Sequence, residues 1–249
     1  MEINKIYNID CLDGMKSMED DSVDCIITSP PYNRSLRIHY GKCVKDTDVN
    51  KYGGNFNDCM TMNEYYLWQK DCISEMLRVT KRNIFYNIQM LTGNKYAIFK
   101  LFGDFADKIK EIIVWDKINA EPAAGYGVLN SVFEFIIVFD KLNAISRQFS
   151  GYNFDRGCLD NVFRIHKNHL RQDIKHSAVF PVELPETIID NFTKEGDLIL
   201  DPYMGSGTTA VACLNKKRNF IGFEINKDYC DAATKRIEDI VSNKQVELF

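Results

Sequence analysis

The apolar positions of the chain fall into short strand-like runs that alternate with longer segments of helical periodicity. The predicted strands occupy residues 3–9, 23–28, 83–89, 111–116, 132–139, 197–201 and 219–224. The predicted helices occupy residues 12–18, 63–79, 94–108, 182–193, 208–215 and 227–242. Strands separated by helices predict a mostly parallel sheet with helices on both faces. No helix separates runs 111–116 and 132–139, so we expect an antiparallel hairpin at one edge of the sheet.

Residues 33–61 show no strong periodicity and contain Tyr40-Gly41 and Tyr52-Gly53-Gly54-Asn55. A segment of this length without elements of its own is usually functional, so we predict a long mobile loop. The chain of 249 residues is long enough to bury a sizeable core, and we expect one α/β domain over 1–249.

Composition limits the class of protein further. The chain has no apolar run long enough to span a membrane and no basic-then-apolar N-terminal segment, so we expect a cytoplasmic protein. Its eight cysteines include no C-x-x-C pair, and several lie in apolar runs, which predicts buried and reduced thiols. His166 and His169 could share one helical face, but without a cysteine pair we expect no metal site.

The tetrapeptide Ser29-Pro30-Pro31-Tyr32 follows strand-like run 23–28 and so falls at the carboxyl edge of the sheet, where open α/β sheets hold their chemistry. The prolines remove two backbone donors, so the carbonyls of Ser29 and Pro30 have few local partners and can face a ligand. Acceptors beside an exposed aromatic ring suit a planar ring that carries an amino group, such as a nucleobase. A Pro-Pro turn capped by a tyrosine is the alternative interpretation.

Residues 197–210 read as a strand, a glycine turn and the start of a helix, the arrangement with which a Rossmann-like unit meets a nucleotide. Gly205 and Gly207 allow the backbone to approach a ligand closely, and the helix that follows presents free N–H groups. The next strand ends in Glu224, 17 residues after Gly207, close to the spacing at which a carboxylate binds ribose hydroxyls. These features together predict an adenosine site.

Residues 205–210 also fit the dinucleotide pattern G-x-G-x-x-G/A, so a nicotinamide or flavin enzyme competes on this evidence alone. A P-loop is excluded, because no Gly-Lys-Ser/Thr follows a glycine at the required offset. The combination of motifs separates the two interpretations. A dehydrogenase has no use for a base clamp, whereas a methyltransferase that uses S-adenosylmethionine needs both parts.

The motifs and their order resemble the β class of amino-methylating DNA methyltransferases, which act on cytosine N4 or adenine N6. In that family a [DNS]-P-P-[YF] motif comes first, a target-recognition region follows, and a D-P-F-x-G-S-G-T motif comes last. Here residues 28–33 precede residues 201–208, with Tyr203 in place of the usual phenylalanine. Glutamine methyltransferases carry the cofactor motif before their N-P-P-Y variant, so the order argues against them.

Further segments are similar to the same family. Residues 77–81 resemble its helix end, residues 111–117 its later strand, and residues 176–185 its H-x-A-x-F-P-x-x-L-P motif. The resemblance implies an α/β fold with a Rossmann-like seven-stranded methyltransferase sheet, entered at a circularly permuted point and carrying a small inserted target-recognition region. It also implies S-adenosyl-L-methionine as the cofactor.

Residue by residue, the resemblance assigns catalysis to Ser29, Pro30, Pro31 and Tyr32. It implies that Asp10 lies near the adenine of the cofactor, Glu224 at the ribose and Phe180 beside the cofactor. Around the methionine part it implies Asp201, Tyr203, Gly205, Ser206, Gly207 and Thr208. Asp10 could equally be a strand-end aspartate that caps the next helix.

The net charge of −4 is unevenly distributed along the chain. Residues 34–52 carry a net +3, and residues 141–176 carry +4 and three of the four histidines. Two basic segments would grip phosphates on both sides of an extruded base, although loops in general are rich in solvated charges. We therefore predict that loop 33–61 contacts double-stranded DNA and that 141–176 recognises the target. The candidate DNA-binding residues are Arg34, Arg37, Lys42, Lys45, Arg164, Lys167 and Arg171.

In the expected mechanism the Ser29 side chain and the Pro30 carbonyl accept both amino hydrogens of a flipped base, which favours a pyramidal nitrogen. Ring-carbon methylation would need a Pro-Cys thiolate, and no cysteine here follows a proline.

In the family, serine at the first motif position more often accompanies cytosine N4, and aspartate there more often accompanies adenine N6. The prediction therefore leans to cytosine and leaves adenine open. A DNA-binding protein that keeps the cofactor site without turnover is a further alternative, against which the intact motif argues. A second copy of the chain and a cognate restriction endonuclease stay open as partners, and we expect no membrane partner.

Overall fold

The structure is a computed structural model that describes residues 1–33, 36–39, 42–45, 59–119, 126–167 and 180–246, with backbone alone at 36–39, 42–45 and 243–246. The strands are β1 (Lys5–Tyr7), β2 (Cys25–Thr28), β3 (Leu36–His39), β4 (Lys42–Lys45), β5 (Asn83–Ile88), β6 (Ile109–Asp116), β7 (Phe133–Asp140), β8 (Val162–Arg164), β9 (Leu198–Asp201) and β10 (Asn219–Phe223). The helices are α1 (Cys11–Lys16), α2 (Met62–Val79), α3 (Lys95–Asp104), α4 (Glu183–Phe192), α5 (Thr208–Asn215) and α6 (Lys227–Val246). Within these ranges no helix is long and apolar enough to cross a membrane.

Eight strands form one sheet in the order β1-β10-β9-β2-β5-β7-β6-β8. Neighbouring strands run parallel, except that β7 is antiparallel to both β5 and β6. Strands β2 and β9 lie side by side, although they come from opposite ends of the chain. This pairing brings the segment after β2 next to the segment after β9.

Both faces of the sheet are covered by helices. Ile26 and Ile84 pack on one face in a cluster with α1, α2 and α3, whereas their successors Ile27 and Phe85 pack on the other with α4, α5 and α6. Successive side chains of a strand point to opposite faces, and every residue of β2 and β5 is buried. Burial on both faces explains why these strands read as apolar runs rather than alternating ones. The predicted α/β architecture with helices on both faces is confirmed.

Among the described residues the sheet has eight strands, so the prediction of seven was wrong by one. The additional strand, β8, pairs parallel to β6 from Val114↔Val162 to Asp116↔Arg164. It is three residues long and therefore too short to produce a periodic signal in the sequence. Because β8 covers β6, the predicted antiparallel hairpin β6–β7 exists but does not form the edge of the sheet.

The segment predicted as a loop, 33–61, contains an antiparallel hairpin of its own. Strands β3 and β4 pair from Leu36↔Lys45 to His39↔Lys42. The prediction of a loop was wrong here, because apolar Leu36 and Ile38 alternate with basic Arg37 and His39 at the period of a strand. The mobility of this segment stays a prediction.

Candidate active site

Polar residues follow or end four adjacent strands at one edge of the sheet. Asp10 comes after β1, Ser29 after β2 and Glu224 after β10, while Asp201 is the last residue of β9. Parallel strands bring their carboxyl ends together, and these residues line one cleft. Of the predicted site residues, the cleft contains Asp10, Ser29, Pro30, Pro31, Tyr32, Phe180, Asp201, Tyr203, Gly205, Ser206, Thr208 and Glu224.

Asp201 joins the two sequence motifs. Its carboxylate is 2% exposed and accepts hydrogen bonds from Oγ1 of Thr28 (2.7 Å), Oγ1 of Thr209 (2.6 Å) and the amide of Tyr203 (3.0 Å). Thr28 immediately precedes Ser29, and Thr209 lies in the first turn of α5. Burial raises the pKa of Asp201 to about 6, although the three hydrogen bonds act in the opposite direction. The carboxylate thus fixes the end of β2 to the start of α5.

The turn between β9 and α5 depends on two glycines in the left-handed region. Gly205 has φ 53° and Gly207 φ 82°, which side chains rarely tolerate. Gly205 lines the cleft. Gly207 does not: a Cβ at this position would lie 3.1 Å from Cβ of Ala233, so this glycine permits close packing of α5 on α6. Gly207 therefore has a packing role in the structure, and its contact with the cofactor stays a prediction.

Glu224 forms a fixed carboxylate on the cleft wall. It is 9% exposed and accepts hydrogen bonds of 2.8 Å from the amides of both Gly205 and Asn226. Burial raises the pKa of Glu224, while these amides lower it. The side-chain amide of Asn8 holds the Glu224 carbonyl at 2.8 Å. A carboxylate has about four lone-pair sites, so two amides leave room for the hydroxyls of a diol.

Asp10 caps a helix and also lines the cleft. Its carboxylate accepts hydrogen bonds from the amides of Leu12 (2.8 Å) and Asp13 (3.4 Å) and so caps α1. The same residue lines the cleft. The capping interpretation is confirmed, and a contact with the adenine stays a prediction.

Several aromatic side chains line the cleft. The ring of Trp68 meets that of Tyr203 edge-on, with 5.8 Å between ring centroids, and Phe180 and Tyr229 lie on the same cleft. Burial raises the pKa of Tyr203 well above its usual value, so this tyrosine keeps its proton and packs as the phenylalanine of the family motif would. Sequence analysis missed Trp68, because its place three residues after Tyr65 on α2 is that of any core-facing helical residue.

A buried polar network runs inward from Ser29 and Tyr32, which line the cleft. The Ser29 and Tyr32 hydroxyl oxygens lie 2.7 Å apart, and the Tyr32 hydroxyl donates to Oε2 of Glu134 at 2.8 Å. Tyr32 is 8% exposed, so most of its ring is packed against the protein rather than exposed as expected from the sequence, and only the part that lines the cleft is open to a ligand. It lines the cleft in a fixed orientation.

Asn87, Glu134 and Lys117 complete this network, and sequence analysis missed all three. Nδ2 of Asn87 lies 3.0 Å from the Tyr32 hydroxyl and 2.7 Å from Oε2 of Glu134. Nζ of Lys117 lies 2.9 Å from Oε1 of Glu134, and both side chains are less than a tenth exposed. The available signal was one carboxylate in the apolar run 133–139, since a buried charge needs a partner.

The backbone after Ser29 is held by two further side chains. The hydroxyl of Tyr65 donates to the Pro31 carbonyl at 2.7 Å. Asn33, with φ 54°, donates to the carbonyls of Met60 (2.9 Å) and Gly93 (2.8 Å) and accepts from the Met60 amide at 2.8 Å. Together with the hydrogen bond between Thr28 and Asp201, these contacts hold the Ser-Pro-Pro-Tyr segment on both sides.

The predicted DNA-binding residues are only partly described. Arg164 is exposed on β8, and Lys167 is half-buried just beyond it. Arg37 lies on β3, and Lys42 and Lys45 lie on β4, where the backbone alone is described. Arg34, Arg171 and His169 fall outside the described residues, and His166 is exposed.

Known proteins are similar to this chain in sequence and in fold. A family model described as DNA methylase, of the N6/N4 methyltransferases, matches residues 23–235. The type II methyltransferase M2.MboI of Moraxella bovis is 27% identical over 252 residues, covering 94% of this chain and 88% of its own.

Two solved structures resemble this one over 94% of the chain. A complex of M1.HpyAVI with SAM has a TM-score of 0.62 at 26% identity and is covered over 98% of its length. The cytosine-N4-specific PvuII DNA methyltransferase has a TM-score of 0.69 at 18% identity, covered over 90%, and shows the shared fold. The circularly permuted entry into that fold stays a prediction. The chain belongs to the DNA methylase family of N6/N4 methyltransferases.

Proposed function

We propose that this protein transfers a methyl group from S-adenosylmethionine to the exocyclic amino group of a flipped base in double-stranded DNA, with cytosine N4 preferred over adenine N6. One observation carries the proposal. The segment 29–32, which suits a base, and the turn 201–208, which suits adenosine, line the same cleft. The hydrogen bond between Thr28 and Asp201 joins them. A dehydrogenase would require only the second of these parts.

The residues at the glycine turn fit S-adenosylmethionine. The Glu224 carboxylate suits the ribose hydroxyls, and the backbone at Gly205 and Ser206 suits close approach of the methionine part. Trp68 and Phe180 offer aromatic surface to the adenine. Among the described residues no lysine lines the cleft, which matches a ligand without phosphates. The M1.HpyAVI relative, whose structure is a SAM complex, supports the same ligand.

At the other end of the cleft, Ser29 and Pro30 suit a primary amine on a planar ring. S-adenosylmethionine supplies, when bound, a methyl group whose bonding electrons stay with sulfur. The Ser29 hydroxyl oxygen and the Pro30 carbonyl accept the two amino hydrogens, so the nitrogen lone pair points away from them and toward the methyl carbon. As the N–C bond forms, the bond between the methyl carbon and sulfur would break, and the nitrogen would release one proton to water in the cleft. Positioning of this kind contributes about 7–11 kcal/mol to catalysis.

The target base has to leave the duplex, which costs a few kcal/mol. Stacking on an aromatic ring is worth about 1–3 kcal/mol per base, and Tyr32 is the ring beside the acceptors. Its hydroxyl is already bonded to Glu134, so stacking would order little additional structure. Arg164 and the basic segments 34–52 and 141–176 supply positive charge for the phosphates.

The preference for cytosine rests on Ser29, because serine at this position accompanies cytosine N4 more often than adenine N6 in the family. Both bases present the same amino geometry to the two acceptors. Adenine N6 is therefore the second candidate.

Identification of the methylated nucleoside tests the proposal. Purified protein is incubated with mixed-sequence duplex DNA and S-adenosylmethionine carrying a trideuterated methyl group, and the DNA is digested and analysed by mass spectrometry. We expect labelled N4-methylcytosine. Labelled N6-methyladenine would support amino methylation and overturn the preference for cytosine. Labelled 5-methylcytosine, or no labelled nucleoside despite calorimetric binding of the cofactor, would contradict the proposal, and the second result would favour the non-catalytic alternative.

A further inference from the structure

We propose that Glu134 is a positioning residue, which acts through Tyr32 to make the Ser29 hydroxyl a hydrogen-bond acceptor toward the target amine. The inference rests on the proposed function, and it concerns a buried group that neither sequence motif contains. The relevant atoms form a chain from the cleft inward. Ser29 lies at the cleft, the Tyr32 hydroxyl 2.7 Å behind it, and the Glu134 carboxylate 2.8 Å further in.

The hydrogens available on Ser29 and Tyr32 fix the donor-to-acceptor direction of this series of hydrogen bonds. An ionised carboxylate can only accept, so the single hydrogen of the Tyr32 hydroxyl points to Glu134. The 2.7 Å contact between Ser29 and Tyr32 then needs the hydrogen of Ser29. Asn87 strengthens the same direction, because the two hydrogens of its Nδ2 serve the shorter contacts with Glu134 (2.7 Å) and the Tyr32 oxygen (3.0 Å). The same nitrogen lies 3.4 Å from the Ser29 oxygen, a longer contact that uses at most one of the two lone pairs of Ser29.

This direction decides what Ser29 can do at the cleft. With its only hydrogen engaged by Tyr32, the Ser29 oxygen turns lone pairs toward the cleft and accepts an amino hydrogen. If the Tyr32 hydrogen pointed to Ser29 instead, the Ser29 hydroxyl would be free to donate. A donor facing an amino group would clash with its hydrogens or engage the nitrogen lone pair that the reaction needs.

Lys117 stabilises the buried Glu134 carboxylate by forming an ion pair with it. The Glu134 side chain is 9% exposed, and an unpaired charge there would be strongly disfavoured. The Lys117 ammonium lies 2.9 Å away on the oxygen that Tyr32 does not use. The ion pair therefore leaves Oε2 available for Tyr32 and Asn87.

The same two strands provide a matched control. Lys110 near the start of β6 and Asp140 at the end of β7 form a second buried ion pair, at 3.2 Å. It joins β6 to β7 at the opposite end of the strands from Lys117 and Glu134. Its loss should affect stability without affecting the Ser29 hydroxyl.

The test compares single-turnover rates of methyl transfer at saturating DNA and cofactor. In K117M/E134L both charges are removed and Tyr32 loses its acceptor. In K117M/E134Q the charges are removed but an amide oxygen remains to accept from Tyr32. We expect K117M/E134L to be at least about tenfold slower than wild type, and K117M/E134Q to stay within about threefold. The control K110M/D140N should keep the wild-type rate, and all variants should bind S-adenosylmethionine with wild-type affinity.

The Tyr32→Phe background separates positioning from general stability, because it removes the hydroxyl through which Glu134 acts. In that background K117M/E134L should cause no further loss of rate. A wild-type rate for K117M/E134L, equal losses in the leucine and glutamine variants, or the same loss in the Tyr32→Phe background would each overturn the inference.

If an ion-pair variant does not fold, the rate of Tyr32→Phe alone decides. This variant should be slower than wild type by about tenfold, and a wild-type rate contradicts the inference. Absence of any methylated nucleoside with the wild-type protein would overturn the proposed function itself, which distinguishes the two failures.

Discussion

The hydroxyl of Thr28 donates a hydrogen bond of 2.7 Å to the buried carboxylate of Asp201. This bond joins the residue before Ser29 to the residue that opens the glycine turn, at the point where β2 and β9 lie side by side. The Ser-Pro-Pro-Tyr segment and the glycine turn are thus held in one geometry by adjacent strands from opposite ends of the chain.

Replacement of Asp201 by Asn should change how stability depends on pH. The pKa of Asp201 is raised from 3.8 to about 6, so between these values the folded state binds more protons than the unfolded state. The contribution of Asp201 to stability is therefore fully present below pH 3.8 and is lost as the pH rises to about 6. Relative to wild type, Asp201→Asn should gain up to about 3 kcal/mol in free energy of unfolding between pH 3.8 and 7. Urea unfolding of both proteins across this range measures the difference, and a constant difference would contradict the raised pKa.

Replacement of Glu224 by Ala should weaken S-adenosylmethionine binding by about tenfold or more, because hydrogen bonds to a charged group are lost. Isothermal titration calorimetry measures the dissociation constant. Asp228→Ala, which removes a nearby exposed carboxylate from α6, serves as the control and should bind normally. An unchanged affinity for Glu224→Ala would remove this residue from the cofactor site.

Replacement of Trp68 by Leu should also weaken cofactor binding, since the variant loses the aromatic surface beside Tyr203. A several-fold rise in the dissociation constant is expected from the loss of a contact worth about 1 kcal/mol. The neighbouring Leu67, 49% exposed on the same helix, provides Leu67→Ala as a control. Equal affinities for the two variants would show that Trp68 is only a packing residue.

Replacement of Arg164 by Ala should weaken DNA binding and reduce the slope of log affinity against log salt by about one. Fluorescence anisotropy with a labelled duplex, measured over a series of salt concentrations, gives both quantities. Lys235→Ala removes an exposed charge from α6 and should leave the slope unchanged. An unchanged slope for Arg164→Ala would place this residue outside the DNA interface.

The sequence predicted those parts of the site that have local signals. Ser29 and Glu224 follow apolar runs, and Gly205 interrupts a strand-to-helix pattern, so each could be assigned to the carboxyl edge of a sheet before its neighbours were known. Strand order then brings them together. The packing of Gly207 against Ala233 was not predicted, because a glycine that contacts a ligand and one that packs against a helix have the same sequence signature.

The buried network could not be predicted in the same way. Asn87 and Glu134 lie on β5 and β7, whose antiparallel pairing depends on the order of strands in the sheet. Lys117 reaches Glu134 because β6 lies on the other side of β7. Each is a single polar residue in or beside an apolar run, and no local pattern indicates that the three meet behind Ser29.

In the proposed mechanism Ser29 accepts a hydrogen from the target amine while the cofactor is held elsewhere in the cleft. The most direct measurement compares wild type with Ser29→Ala for transfer of labelled methyl to duplex DNA and for S-adenosylmethionine affinity. We expect Ser29→Ala to transfer methyl about a hundredfold more slowly, since it loses one preorganised group of the reaction, while its cofactor affinity stays at the wild-type value. Transfer at the wild-type rate by Ser29→Ala would show that Ser29 is not an acceptor in the reaction.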